Sequence, residues 1–158
     1  MALKHRLADA SYWFYGRARH KSAFEAAARP GAGSDFAGLE GHKYALLVTF
    51  RRDGSGVPTP VWFALLDERR LVASTEERTA KVRRIRHDPR ARVFPCDPRG
   101  KPLGPGVEGT ARILEDAEDR ERAETALERH YGRRRRIYEK LMAPEDGMVY
   151  LEVAATVP

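Results

Sequence analysis

The sequence lacks several features that would assign it to a common class of protein. Only one of its 158 residues, Cys96, is a cysteine, so no intrachain disulfide can form, which fits a reducing compartment. Its most apolar stretch, residues 44–50, is far too short to cross a bilayer, and the first residues lack the long apolar segment of a secretory signal. We therefore expect a cytoplasmic protein that has no membrane partner.

Signatures of nucleotide binding, nucleophilic catalysis and metal binding are also missing. Neither a GxxxxGK[ST] nor a GxGxxG phosphate-binding loop occurs, and no serine lies in a nucleophile-elbow pattern. The five histidines show no spacing with cysteine or acidic residues that is typical of a metal site. We predict no metal ion and no dedicated catalytic side chain.

Positive charge, in contrast, is abundant. The chain carries 29 lysine and arginine residues against 23 aspartate and glutamate residues, a formal net charge of +6. Such a balance suits a nucleic acid, an anionic membrane or a phosphorylated small molecule as the ligand. The hydrophobic share of 42% is sufficient for a buried core and argues against disorder.

The densest basic run consists of the four arginines at 133–136, followed by Lys140. A run of this kind usually forms a solvated helix face, and the alternatives are contact with the anionic tail of a cofactor or with RNA. Surfaces that bind RNA combine basic residues with exposed aromatic residues. Tyr131 and Tyr138 flank the run at helix positions that we expect to be buried, so we expect no nucleic-acid partner.

Hydrophobic periodicity predicts an α+β protein. The predicted strands cover residues 44–51, 57–67, 70–75, 90–96, 107–114 and 148–153, and the predicted helices cover 3–28, 79–87, 117–131 and 133–142. Asp116 is placed to cap the helix that follows it. Because hairpin-type connections dominate, we expect a mainly antiparallel six-stranded barrel with flanking helices, formed by residues 36–158 and preceded by a helical extension over 1–35.

Two prolines mark the second predicted strand as unusual. Pro58 and Pro60 are two residues apart, so both remove backbone donors from the same edge of the strand. That edge cannot pair fully with another strand, and a planar ring could lie against it. The alternative is an edge strand that the prolines merely protect from aggregation.

A second group of residues has the composition of a phosphate site. Ser74 and Thr75 end the third predicted strand, and Thr79 is placed to cap a short helix that carries Lys81 and Arg84 on one face. Hydroxyl groups, the free N–H groups of a helix start and two cations together favour an anion. The alternative is a solvated basic helix that happens to follow a strand.

The order of these segments resembles the pyridoxamine 5′-phosphate oxidase-like split-barrel superfamily. The resemblance covers about residues 42–155, and the segments that carry it are 44–50, 54–63, 79–81, 87–89 and 107–111. Within the superfamily, the Pro-Val-Trp sequence at 60–62 and the spacing from Thr79 through Lys81 to Asp88 are most similar to the branch that uses the deazaflavin coenzyme F420.

This resemblance implies a six-stranded split barrel, usually dimeric, with the cofactor in a cleft between two subunits. It implies that Ser74, Thr75 and Lys81 contact the cofactor phosphate. It also implies that a strand lines the flavin-like ring, with the residues Thr59, Pro60, Val61 and Trp62. Relatives often carry a basic residue two positions before the lysine; this chain has Thr79 there, and Arg78 and Arg84 are the cations available to compensate.

The expected function is that of an oxidoreductase that transfers hydride between F420 and a small organic substrate of unknown identity. FMN is the alternative cofactor, and a non-catalytic cofactor-binding protein is the alternative function. Trp62 is either a wall of the substrate pocket or a core residue. The expected assembly is a homodimer.

Overall fold

The computed structural model describes residues 18–142 and 147–156, without the side chains of residues 138–142. The strands are β1 (Tyr44–Phe50), β2 (Gly56–Val61), β3 (Phe63–Asp67), β4 (Arg70–Glu76), β5 (Arg90–Cys96), β6 (Val107–Leu114) and β7 (Met148–Ala155). The helices are α1 (Lys21–Ala27), α2 (Ala80–His87), α3 (Ala117–Tyr131) and α4 (Arg133–Met142). Of the predicted helix over 3–28, residues up to 17 lie outside the described part, and α1 accounts for its end. In the part that is described, no helix has the length and apolar character needed to span a membrane.

All seven strands form one antiparallel sheet in the order β2-β1-β5-β6-β7-β4-β3. The α+β class and the antiparallel pairing are therefore confirmed, whereas the prediction of six strands is wrong. The predicted strand over 57–67 is two strands that separate at Trp62, because β2 pairs with β1 and β3 pairs with β4. Since β2 and β3 stand at opposite ends of the strand order, the sheet must curl until its two ends are close together.

One face of the curled sheet forms the main core. Buried apolar side chains from every strand meet there, and α2 closes one end of the cluster with Ile85. Representative members are Leu47, Val61, Phe63, Leu71, Val93, Ala111 and Leu151. In the following sections this face is called the core face.

The opposite face is covered by helices in two places. α1 packs on β1 and β5 through a cluster that includes Ala23, Ala27, Leu46, Val48 and Phe94. α3 packs on β3 and β4 through a cluster that includes Ala64, Val72, Ala123 and Leu127. Strand β1 is thus buried on both faces, which explains why its sequence is continuously apolar rather than alternating.

Helix α3 has the start that the sequence predicts. The Asp116 carboxylate accepts hydrogen bonds from the backbone N–H groups of Glu118 and Asp119, so two otherwise unpaired donors are satisfied. The helix ends at Gly132, whose φ of 71° lies in the region that favours glycine. This end brings Tyr131 next to the break between β2 and β3.

Candidate cofactor site

Next to the break at Trp62 lie two strand edges that pair with no other strand in the described residues. The pairing of β3 with β4 begins at Phe63 and Ala73. Beyond Ala73, residues 74–76 of β4 pair with β7 on one side and, in the described part of the chain, with no strand on the other. Strand β2 is the terminal strand of the sheet, and no described strand pairs with its outer edge. We call the space between these two polar backbone edges, next to Trp62, the slot.

The two prolines lie on the free edge of β2, as the sequence predicts. Pro58 stands opposite Val48 and Pro60 stands opposite Leu46, on the face that α1 covers. In an antiparallel pair the N–H and C=O groups of one residue point to the same side, so a proline that cannot donate to β1 directs its carbonyl outward. The Pro58 carbonyl indeed accepts a hydrogen bond from the Arg19 guanidinium. Thr59 shares the core face with its partner in the register, Leu47.

Tyr131 holds the strand break in place. Its hydroxyl accepts a hydrogen bond from the Phe63 N–H at 2.8 Å and donates one to the Lys43 carbonyl at 2.6 Å. Its ring stacks on the Trp62 indole, with centroids 5.4 Å apart. Trp62 is thus half-buried against α3 rather than placed in the main core. Burial raises the pKa of Tyr131 to about 12, so the hydroxyl keeps its proton.

Lys81 and Thr75 meet at the end of the core face. The Lys81 ammonium donates a hydrogen bond to the Thr75 hydroxyl oxygen at 2.8 Å, and Lys81 is only 9% exposed. Burial lowers the pKa of Lys81 to about 8; the nearby Glu76 carboxylate opposes this effect, and Arg84 and Arg19 reinforce it. A buried ammonium held by a neutral hydroxyl is well suited to receive an anion.

Two predicted hydroxyl ligands are placed differently. Ser74 precedes Thr75 on β4 and therefore points to the opposite face, where its hydroxyl lies 3.5 Å from a guanidinium nitrogen of Arg135. Thr79 occupies the N-cap position of α2, but its hydroxyl donates to the Glu76 carbonyl at 3.0 Å instead of capping the helix. The structure brings Thr75 and Lys81 together and leaves Ser74 on the other side of the sheet.

Arg84 lies beside Lys81, as their spacing predicts, and has further cations around it. Its Nε donates to the Thr49 hydroxyl at 2.7 Å, and Thr49 is completely buried. Burial lowers the pKa of Arg84, and the charges of Arg51 and Arg19 lower it further. We call Arg19, Arg51, Lys81 and Arg84 the cation cluster. Arg19 and Arg51 were missed at the sequence level, since neither belongs to a motif.

The arginine run at 133–136 is partly structural. The Arg135 side chain is almost fully buried and forms an ion pair with Glu124, which also accepts a hydrogen bond from the Tyr150 hydroxyl. Arg136 lies 3.8 Å from the Glu124 carboxylate and 3.4 Å from that of Glu128. The interpretation of the run as a solvated face is therefore wrong for Arg135, and acidic groups of α3 balance the charge of both residues.

Comparison with solved structures supports the fold. The conserved hypothetical protein Rv2991 from Mycobacterium tuberculosis is 23% identical, with 73% of this chain and 74% of that chain covered and a TM-score of 0.55. The haem storage protein HutZ from Vibrio cholerae is 12% identical, with 76% and 86% covered and a TM-score of 0.58. A protein described as an F420 reductase is 23% identical, with 75% and 90% covered and a TM-score of 0.50.

The sequence itself decides the family. No curated protein shows a significant match to the chain. Residues 36–156, however, match the pyridoxamine 5′-phosphate oxidase family. This range contains all seven strands of the sheet together with α2, α3 and α4. The resemblance seen in the sequence is confirmed: the chain belongs to the pyridoxamine 5′-phosphate oxidase-like family.

Proposed function

We propose that this protein is an oxidoreductase that binds a flavin-like cofactor, the deazaflavin F420 in preference to FMN, in the slot at Trp62. The observation that carries the proposal is the buried contact between Lys81 and Thr75 next to two unpaired strand edges. Family membership and the fold shared with an F420 reductase support it, although haem-binding proteins share that fold as well.

The residues present fit the phosphate of such a cofactor. Lys81 supplies a cation with no carboxylate within ion-pairing distance among the described residues, and Thr75 supplies a hydroxyl that can turn toward a ligand. Burial strengthens the attraction between an ammonium and a phosphate because solvent screening is weak there. Arg84, on the same face of α2, adds a second cation.

The ring would lie along the edge of β2 that the prolines leave open. The segment proposed to line it consists of Thr59, Pro60, Val61 and Trp62. When bound, the cofactor supplies the hydride chemistry, so the protein needs no dedicated acid or nucleophile. The task of the chain is to hold the phosphate with Lys81, to offer outward carbonyls such as that of Pro60, and to exclude water through the Trp62–Tyr131 stack.

The preference for F420 follows from the charge of the cation cluster. F420 carries an acidic tail beyond its phosphate and is therefore more anionic than FMN. The four positive charges of the cluster exceed the negative charge of one phosphate, so they attract further anionic groups of the cofactor. Salt screens this attraction where the cations are exposed to solvent. We expect F420 to bind more tightly than FMN, with a difference that shrinks as the salt concentration rises.

Parallel fluorescence titrations with F420 and FMN at low and high salt test the proposal. Tighter binding of FMN at every salt concentration would establish FMN as the cofactor. Binding of neither compound would contradict the proposed function. The absorbance spectrum of protein purified from a host that makes both cofactors is an independent check, and turnover with a reduced cofactor separates an enzyme from a storage protein.

We also propose that the protein is a homodimer with the slot at the subunit interface, as is usual for the family. Sedimentation at micromolar concentration is the direct measurement. A monomer that still binds the cofactor tightly would contradict both the assembly and the shared site.

A further inference from the structure

We infer that Arg19 and Arg51 form a second anion subsite next to Lys81 and Arg84, which takes an anionic group additional to the cofactor phosphate. Arg19 precedes the part of the chain that matches the family, so the N-terminal extension contributes directly to ligand binding. The inference rests on the proposed function for the position of the phosphate. The inference gives a ligand to the two cations that the phosphate does not require, Arg19 and Arg51.

The hydrogen bonds bring these side chains together. Arg19 donates to the Pro58 carbonyl, and Arg84 donates to the Thr49 hydroxyl. Thr49 pairs with Val57 in the register, and Val57 precedes Pro58 on β2. The two guanidinium groups are therefore attached to neighbouring points on the same pair of strands.

Arg51 completes the subsite from the end of β1. It directly follows this strand, and its guanidinium bonds to the Ser55 hydroxyl at 3.3 Å. Its charge lowers the pKa of Arg19, after the larger effect of burial, and does the same for Arg84. Three guanidinium groups thus act on one another within a small region.

Within the described residues this positive charge is only partly balanced. Hydrogen bonds from Ser55 and the charge of Arg51 lower the pKa of the Asp53 carboxylate, but Asp53 and Arg51 do not form an ion pair. The contacts of Arg19, Arg51 and Arg84 are with a carbonyl and two hydroxyl groups, and within the described residues none of the three forms an ion pair. Elsewhere in the molecule arginines do find acidic partners, as Arg92 does with Glu108. Like charges repel one another, most strongly at the partly buried Arg19 and Arg84, so the cluster lowers stability unless an anion binds to it.

The ligand of the subsite carries at least one anionic group beyond a phosphate monoester. Lys81 and Arg84 suffice for the phosphate, and Arg19 and Arg51 remain for a carboxylate or a further phosphate. This group belongs either to the acidic tail of the cofactor or to a separate anionic substrate. The two sources present the same anionic chemistry. They differ in whether replacement of Arg19 weakens the binding of the cofactor.

Inorganic tripolyphosphate and inorganic phosphate are suitable probes on the full chain. By calorimetry we expect Arg19→Gln to weaken tripolyphosphate binding about fivefold to tenfold, with a smaller effect on phosphate. Arg29→Gln is the matched control, because it removes the same charge from an exposed position at the end of α1. The thermal midpoint of the unliganded Arg19→Gln protein should equal or exceed that of the wild type, since repulsion is relieved.

An equal effect of Arg19→Gln and Arg29→Gln would overturn the subsite, since it would show attraction by net charge alone. Titration of both variants with F420 and FMN identifies the source of the anion. A loss confined to F420 assigns the subsite to the cofactor tail, and a loss with tripolyphosphate alone assigns it to a separate substrate. If neither cofactor binds the wild type but the tripolyphosphate effect remains, the proposed function fails and the subsite stands.

Discussion

The Lys81 ammonium and the Thr75 hydroxyl form a 2.8 Å hydrogen bond at the buried end of the sheet, where α2 meets β4. A hydroxyl is a neutral partner, so it solvates the ammonium without cancelling its charge. The desolvation of Lys81 is therefore only partly compensated in the unliganded protein. An incoming phosphate would supply the missing negative charge.

Replacement of Lys81 by methionine should weaken the binding of the phosphorylated cofactor. Loss of a charge-assisted hydrogen bond costs about 1.5–3 kcal/mol, or roughly tenfold to 150-fold in affinity. Titrations with FMN and with riboflavin, which lacks the phosphate, measure the effect on the phosphate alone. Lys101→Met is the control, since Lys101 is exposed. Equal losses for FMN and riboflavin would remove Lys81 from the phosphate site.

The same lysine should make stability depend on pH. Its pKa falls from 10.5 in the unfolded chain to about 8 in the folded protein, so between these values the folded state holds fewer protons. The free energy of unfolding therefore rises with pH across this window, by about 2 kcal/mol between pH 8 and pH 9.5. Below pH 8 the penalty for the buried charge is fully present. Denaturant titrations of the wild type and Lys81→Met should diverge in this range, and parallel pH profiles would refute the assignment.

Tyr131→Phe should loosen the strand break while it preserves the aromatic stack on Trp62. The variant leaves the Phe63 N–H without its partner, which costs about 1–3 kcal/mol of unfolding free energy. Amide exchange at Phe63, followed by NMR, should become faster. Tyr44→Phe is a matched control on β1, a strand that does not pair with β3. If both variants exchange at the wild-type rate, the Tyr131 hydroxyl does not hold the break.

Cys96 should be unreactive in the folded protein. It is buried in β5, and burial raises the pKa of its thiol to about 12, with a contribution from Asp97. Because the thiolate is the reactive form, a disulfide reagent at pH 8 should modify Cys96 only after unfolding. The time course of thiol modification with and without guanidinium measures this. Rapid modification of the native protein would mean that this end of β5 opens readily.

The elements with strong local signals could be predicted from the sequence. The apolar run of β1 and the capping carboxylate of Asp116 are both recognisable from their neighbours alone, and both occur as expected. The break at Trp62 could not be predicted in this way. The segment around it continues to favour a strand, and the group that holds the break, the Tyr131 hydroxyl, lies 68 residues beyond Phe63.

Some residues of the candidate site could likewise be predicted from the sequence, and others could not. The contact of Lys81 with Thr75 follows from the family pattern, and the alternation of a strand already implies that Ser74 faces the other way. Arg19 carries no local signal, because only the fold brings it to the Pro58 carbonyl. The burial of Arg135 depends on its ion pair with Glu124, so it could not be predicted from the arginine run alone.

The position of β7 between β6 and β4 determines how the chain can assemble. Without β7 the sheet falls into two pieces, β2-β1-β5-β6 and β4-β3, which only two covalent connections join: Trp62 between β2 and β3, and the segment with α2 between β4 and β5. β7 follows the other six strands in the sequence, so a ribosome releases it after all of them. The two pieces can form early from local hairpins. The pairing of β7 with β4 is slower, because it joins segments that are far apart in the sequence, such as Arg70 and Ala154. Until then the edges of β4 and β6 are open to other chains, and the nascent protein is most prone to aggregate just before β7 arrives.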